Sequence, residues 1–262
     1  MSGTDKMAEN ISSSQRLMEF LQRKAQNHTN LKTYGTYKSI SPIIEEGVLR
    51  LSDGSNWNDK FDSSAFQYNS KEYLQFGKCF TFSKSESVAM WMIYGRDTKK
   101  KGKDLRGLMI DFKKQLNKIV NETEEVVLYN YSKGKIKKGE KKLSKGEFEI
   151  FLIDMLYISQ ESDGRYTIKR SDERIEGIES EMIDDVIEYT KSYPWAYENE
   201  CRLIVRVKKD ILGDANYNSA RLKLPSTVHK VLRQSVYKTP LYHGEDYEIP
   251  VQSSKLEGNI SF

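Results

Sequence analysis

Strand-like and helix-like segments interleave irregularly along this chain, and that order constrains the fold more than any other feature. Residues 15–26 carry Leu17, Phe20, Leu21 and Lys24 at helical spacing. Residues 31–40 alternate and are rich in Tyr and Thr, which suits a strand. Ser41 before Pro42 marks a helix start and Gly47 its stop, and Val48–Ser52 reads as a second strand. A loop dense in Asn, Asp, Ser and Gly fills 52–64, and the run from Gly77 through Phe82 reads as a strand with small polar residues at its exit. Ser85 or Ser87 caps a helix that Gly95 closes.

Further strands are expected over 106–114 and from 124 onward, with a turn at Lys133-Gly134. Phe148, Phe151, Leu152, Met155 and Leu156 recur at helical spacing and predict a helix over 145–160, and a second is expected over 179–194, ending near Pro194. A β-prone run opens at Leu203, and 220–234 reads as strand with a short helix. There is no βαβ rhythm, no GxGxxG opening a helix and no P-loop lysine, which disfavours the common nucleotide folds. The expected class is α+β, a split or two-sheet core with helices at its edge, in one domain over 16–262. Residues 1–15 are polar and expected to be poorly ordered, and a lysine-rich insertion lies around 96–146.

Composition narrows the setting. Aromatics are plentiful, with 16 Tyr, so the chain is not of the disordered type. No apolar run approaches the length of a membrane span, and residues 1–15 lack the charged start and apolar core of a signal peptide. Cys79 and Cys201 lie far apart, which argues against a disulfide framework or zinc cluster and for a reducing, cytoplasmic setting. A net charge of +4 says little by itself. Its distribution says more: Lys99, Lys100 and Lys101 are consecutive, and seven lysines between Lys133 and Lys145 face only Glu140. Such a run either tracks a nucleic-acid backbone or is a solvated hairpin.

Histidine chemistry is thin, since His28, His229 and His243 stand apart from one another and from a nucleophile. Asn58, Asp59 and Asp62 offer oxygen ligands but not the calcium-loop pattern, and no metal site is expected. Three other features are more informative. Lys38 follows Tyr37 at the end of the first expected strand, where a cation can hold a diphosphate. Thr81 and Ser83 flank Phe82 and share one face at a strand exit. Glu198 and Glu200 stand one residue apart before a strand, so in an extended segment both point into one cleft or both into water.

The chain resembles a bacterial family of uncharacterised domains with four spaced signatures. The matching residues are "YKS" at 37–39, "WNDKFD" at 57–62, "CFTFS" at 79–83 with "MWMIY" at 90–94, and "WAYENECRLI" at 195–204. Lys38, Lys60 and Ile93 stand where that family carries arginine, proline and histidine. The same order is similar to ADP-ribosyltransferases of the arginine-serine-glutamate type. That resemblance implies an ADP-ribosyltransferase-like split β-sheet core with peripheral helices, and NAD as cosubstrate. Lys38, beside Tyr37, would contact NAD, and Ser83 with Thr81 would support the nicotinamide pocket. An aromatic, Tyr94 or else Trp91, whose expected place is the core, would stack on the nicotinamide, Glu200 would be the catalytic acid, and Glu198 would meet the acceptor. The acceptor would be a macromolecule, protein or nucleic acid, the latter held through Lys133–Lys145. The resemblance further implies a toxin or anti-phage effector, with an antitoxin or defence-system partner. Two alternatives stay open: a non-catalytic nucleic-acid-binding module, and an NAD glycohydrolase passing the ribose to water.

Overall fold

The computed structural model describes residues 9–57, 59–68, 72–83, 86–95, 107–132, 135–136, 139–168, 175–176, 178–213, 215–238 and 251–252. In chain order its principal elements begin with α1 (Ser14–Gln26), β1 (Lys32–Thr36), α2 (Tyr37–Glu45), β2 (Val48–Ser52), α3 (Lys60–Tyr68), β3 (Tyr73–Thr81) and α4 (Val88–Tyr94). There follow β4 (Gly107–Asp111), α5 (Gln115–Glu122), β5 (Glu125–Tyr129), β6 (Lys141–Ser144), β7 (Glu149–Asp154), β8 (Leu156–Gln160) and β9 (Tyr166–Ile168). The last are α6 (Ser180–Asp185), β10 (Thr190–Ser192), β11 (Glu200–Lys208), α7 (Lys209–Leu212), β12 (Ser219–Lys223), α8 (Ser226–Leu232) and β13 (Val236–Lys238). Short 3₁₀ turns flank β10 at Ile187–Tyr189 and Tyr193–Glu198. No helix among the described residues is long and apolar enough to cross a membrane.

The fold is mixed α and β around a ten-stranded sheet whose strands pair antiparallel throughout the described residues. β3 is the fork of that sheet. Along one edge it pairs with β11 over nine residues, and β11 pairs in turn with β7. Along the other edge its end at Thr81 meets Lys32 of β1, while Gly77 meets Ser52 of β2. One branch continues through β1 to β4 and β13, the other through β2 to β12, β5 and β6. A second sheet places β8 between β9, antiparallel, and β10, parallel.

The inner face of the fork holds the larger core. Leu49 and Leu51, Phe76 and Phe80, Leu203 and Val205, and Leu108 and Ile110 close on Ile40, Ile44, Leu116, Ile119, Val228 and Leu232 from the helices. On the outer face Ile153 and Ile204 meet Leu17, Phe20, Phe66 and Tyr189 in a second core. A third, smaller cluster sets α4 on the outer face of β1 and β4 through Tyr34, Met90, Trp91 and Met109. Gly95 and Gly107 let the end of α4 touch β4: a Cβ at 107 would lie 2.6 Å from the Gly95 Cα.

Several expectations are corrected. The helix expected over 145–160 is two strands, β7 and β8, joined at Met155. Both faces of β7 are apolar, Leu152 entering the inner core and Ile153 the outer one, so alternation is masked and a helical spacing emerges by coincidence. The helix expected over 179–194 stops at Asp185, and β10 pairs with β8 instead. The strand expected over 31–40 ends at Thr36, because α2 turns back over Gly35, where a Cβ would sit 2.3 Å from the Ser39 hydroxyl oxygen. The loop expected over 52–64 gives way to α3 at Lys60. Within the stretch expected to be poorly ordered, Glu9–Asn10 pairs with Ile175–Glu176, Ile11 is buried and α1 begins at Ser14; residues 1–8 lie outside the described residues.

Candidate functional site

β11 alternates strictly. Cys201, Leu203, Val205 and Val207 enter the inner core, while Glu200, Arg202 and Ile204 face outward, against Thr81, Cys79 and Gly77 of β3. Glu198 arrives differently. It ends the 3₁₀ turn Tyr193–Glu198, and Asn199 then adopts a left-handed conformation at φ 46° and ψ 58°. Asn tolerates that region because its short side chain bonds locally, and here its amide donates to Ser83 Oγ at 2.7 Å. The segment is therefore not extended, yet the turn still brings both carboxylates to one place.

That place is buried and densely charged. Glu198 and Glu200 are each 2% exposed, and Arg202 is 0% exposed. Lys191 of β10 donates to Glu198 Oε2 and to Glu200 Oε2, the latter at 2.6 Å. Arg202 Nε donates to Glu200 Oε1 at 2.5 Å, and its Nη2 to Asp62 Oδ2 of α3 at 2.5 Å. Its guanidinium also stacks 4.2 Å from the Trp57 ring centroid. Tyr94 of α4 donates to Glu198 Oε1 at 2.6 Å, and the Glu200 N–H donates to the Tyr157 hydroxyl at 2.8 Å. Three acids and two cations thus lock α3, α4, β8, β10 and β11 together.

The two glutamates titrate in opposite directions. Burial opposes ionisation of Glu200, but Arg202 and Lys191 outweigh it and hold its carboxyl well below the usual range. Burial raises Glu198 and prevails over Lys191, with the nearby Glu200 charge adding to the rise. Burial likewise raises Asp62 against the pull of Arg202. Burial and the Glu198 charge keep the Tyr94 hydroxyl protonated, and burial and Glu200 do the same for the Cys79 thiol. Two neighbouring carboxyl groups whose environments push their pKa values apart are the arrangement that divides acid–base labour at a glycosidic centre.

Both glutamates line a cavity of about 50 Å³ with Lys32, Thr81, Cys79 and Tyr94. That volume holds water rather than a nicotinamide ring, and Tyr94 forms part of its wall. Thr81 is buried directly opposite Glu200 in the β3–β11 pairing. Ser83 follows at the strand exit; its Oγ accepts from Asn199 and lies 3.3 Å from Thr81 Oγ1. Glu198, Glu200, Thr81, Ser83 and Tyr94 therefore converge.

Lys38 and Tyr37 do not join them. Both belong to α2, Lys38 exposed and Tyr37 donating to Glu45 at 2.8 Å. The lysine at the cavity is Lys32 of β1, whose Nζ donates to the Ser83 carbonyl at 2.5 Å. Sequence reasoning also missed Lys191, Arg202 and Tyr157 as partners of the glutamates, and Asp62 as the partner of Arg202. Arg202 was legible as the second residue after Glu200, on the same strand face. Lys191 carried no local signal.

Only part of the basic run falls among the described residues. Lys133, Lys137 and Lys138 lie outside the described residues, as do Lys99, Lys100 and Lys101. Lys141 donates to the Ile211 carbonyl, Lys142 lies 3.7 Å from Glu125, and Lys145 bonds Glu124 at 2.9 Å. His28 bonds both oxygens of Asp154 at 2.8 Å and stacks on Phe82, and His229 bonds the Ile44 carbonyl. Among the described residues no cluster of side chains suits a metal ion. Comparison with protein-family models, curated proteins and solved structures finds no match to this chain.

Proposed function

We propose that this chain is an NAD-dependent ADP-ribosyltransferase acting on a macromolecular acceptor. The observation that carries the reading is the Glu198–Glu200 pair, gathered at one cavity beside the β3 exit with carboxyl pKa values shifted in opposite directions. Cleaving the nicotinamide–ribose bond leaves the electron pair on the departing, neutral nicotinamide and builds positive charge on the ribose. Ionised Glu200 stabilises that charge in a water-poor site. The ionised Glu198 carboxylate, made a stronger base by burial, takes the proton from the acceptor nucleophile as it bonds to the anomeric carbon. Lys32 supplies the cation that faces the diphosphate, in place of Lys38, and Thr81 with Ser83 backs Glu200. Because the cavity is small, NAD binding moves Tyr94 off Glu198.

The experiment is nicotinamide release from NAD by the purified chain, with mass spectrometry of candidate acceptors. Glu200→Gln abolishes release while the thermal midpoint shows a folded protein; full release by that variant sinks the reading. Release without any modified acceptor makes the chain an NAD glycohydrolase. One observation favours a second reading, a non-catalytic module: Lys191 and Arg202 already engage both Glu200 oxygens, as a structural clamp would. In that case Glu200→Gln lowers stability, and no NAD is consumed even by the unaltered chain.

A further inference from the structure

The outer face of the fork carries a second charged region. On β2, β12, β5 and β6, register sets Arg50 opposite Arg221, Arg221 opposite Val127, and Val127 opposite Lys142. Lys223 joins the same face opposite Val48. Arg50, Lys142 and Lys223 are exposed and Arg221 is half-buried. The face is continuous with that of Glu200. Ser52, two residues beyond Arg50, pairs with Gly77, and Trp57 covers both: its indole N–H donates to Ser52 Oγ at 3.1 Å, and its ring lies against Gly77. Because Arg202 stacks on that same ring, Trp57 is a wall shared by the glutamate network and the cation row.

Like charges directly opposite one another weaken a strand pairing, yet Arg50 and Arg221 occupy such positions. Their carboxylate neighbours are Glu46, 3.9 Å from Arg50, and Glu140, 2.7 Å from Arg221. Solvent-reached pairs such as Arg50–Glu46 contribute only about 0–1 kcal/mol, so a better anion displaces them. A groove of about 250 Å³ lies along the row, lined also by Val127, Tyr129 and the carboxylates Glu46 and Glu125, the latter 3.7 Å from Lys142. A guanidinium fork matches two phosphate oxygens. From Arg50 to Lys142 the row crosses three inter-strand spacings, about 14 Å at roughly 4.8 Å each. That reach exceeds one phosphate and suits a chain of them. Tyr131 stands edge-to-face with Tyr129, 6.4 Å between centroids, and gives a base a ring to stack on.

We propose that this row docks the phosphate backbone of a nucleic acid and, resting on the transferase reading, that this nucleic acid is the acceptor presented to Glu198. The test is fluorescence anisotropy of labelled single-stranded RNA and DNA with the full chain at low and moderate salt, for the unaltered protein and for Arg50→Gln with Arg221→Gln. The double variant binds at least tenfold more weakly and with a shallower salt dependence, and its thermal midpoint is unchanged or raised. Equal binding by the variant, or no binding of either oligonucleotide by the unaltered chain at low salt, overturns the proposal. So does displacement by poly-glutamate as effective as by unlabelled oligonucleotide, which makes the surface one for acidic protein. Nicotinamide release measured in the presence of candidate acceptors, the oligonucleotide among them, separates the two readings. If NAD is untouched but oligonucleotide binding needs Arg50 and Arg221, the surface stands and the transferase falls; if NAD is consumed and the variant binds normally, the reverse holds.

Discussion

Lys191 is the residue on which the candidate site turns. Its ammonium bridges Glu198 and Glu200, and burial alone would make such an arrangement costly without it. Lys191→Met leaves two buried carboxylates side by side, and we expect a loss of about 3–5 kcal/mol in urea unfolding; an unchanged midpoint would show that the network contributes no stability. Glu200 makes a pH prediction. Its folded-state pKa lies below the unfolded value of about 4.3, so its contribution is fully present above that pH and is lost as pH falls below it. Glu198 and Asp62, raised by burial, act in the opposite sense and favour the folded state in acid. Stability of the unaltered chain therefore falls more steeply than that of Glu200→Gln between about pH 5 and about pH 3. Parallel curves of thermal midpoint against pH would refute that assignment. The sequence singled out both glutamates but not the lysine between them, because it arrives from β10 through tertiary pairing with β8.

At the scale of elements, α4 and β4 decide where Tyr94 stands. Gly107→Ala drives a Cβ into the backbone of Gly95, with contacts of 2.6 and 2.8 Å that only backbone movement relieves. Overpacking of this kind costs about 1–3 kcal/mol. The displaced α4 also draws Tyr94 from Glu198, so Gly107→Ala lowers both the thermal midpoint and, on the transferase reading, the rate of nicotinamide release. A variant equal to the unaltered chain in both would show that the glycine contact does not position Tyr94. α4 itself was legible, with Ser87 capping Met90 N and Gly95 ending it. Residues 145–160 were not, since a strand buried on both faces shows no period of two.

At the scale of the whole molecule, β3 and β11 are the spine that both cores share. β11 carries the partners of the inner core on one face and the charged network on the other, and β3 holds the fork together. Opening either strand exposes both cores at once, so their amides should exchange only through global unfolding. Native-state hydrogen exchange checks this: β11 protection equals the global unfolding free energy, while β9, half-exposed at the margin of the second sheet, exchanges sooner. Faster exchange in β11 than in β9 would place the stable centre elsewhere.

The sequence by itself determined the mixed class, the capped helix over Val88–Tyr94, the β-prone run after Glu200, and the interest of "ENE" as two acids beside a strand. Those features are written in local spacing, capping and propensity. Tertiary structure decided the rest: that Asn199 turns the chain between the two acids, that Lys32 rather than Lys38 reaches the cavity, and that Lys191 binds both glutamates. A charge partner from a distant strand leaves no local period. Whether a carboxylate faces water or an ammonium is set only when the sheets pack.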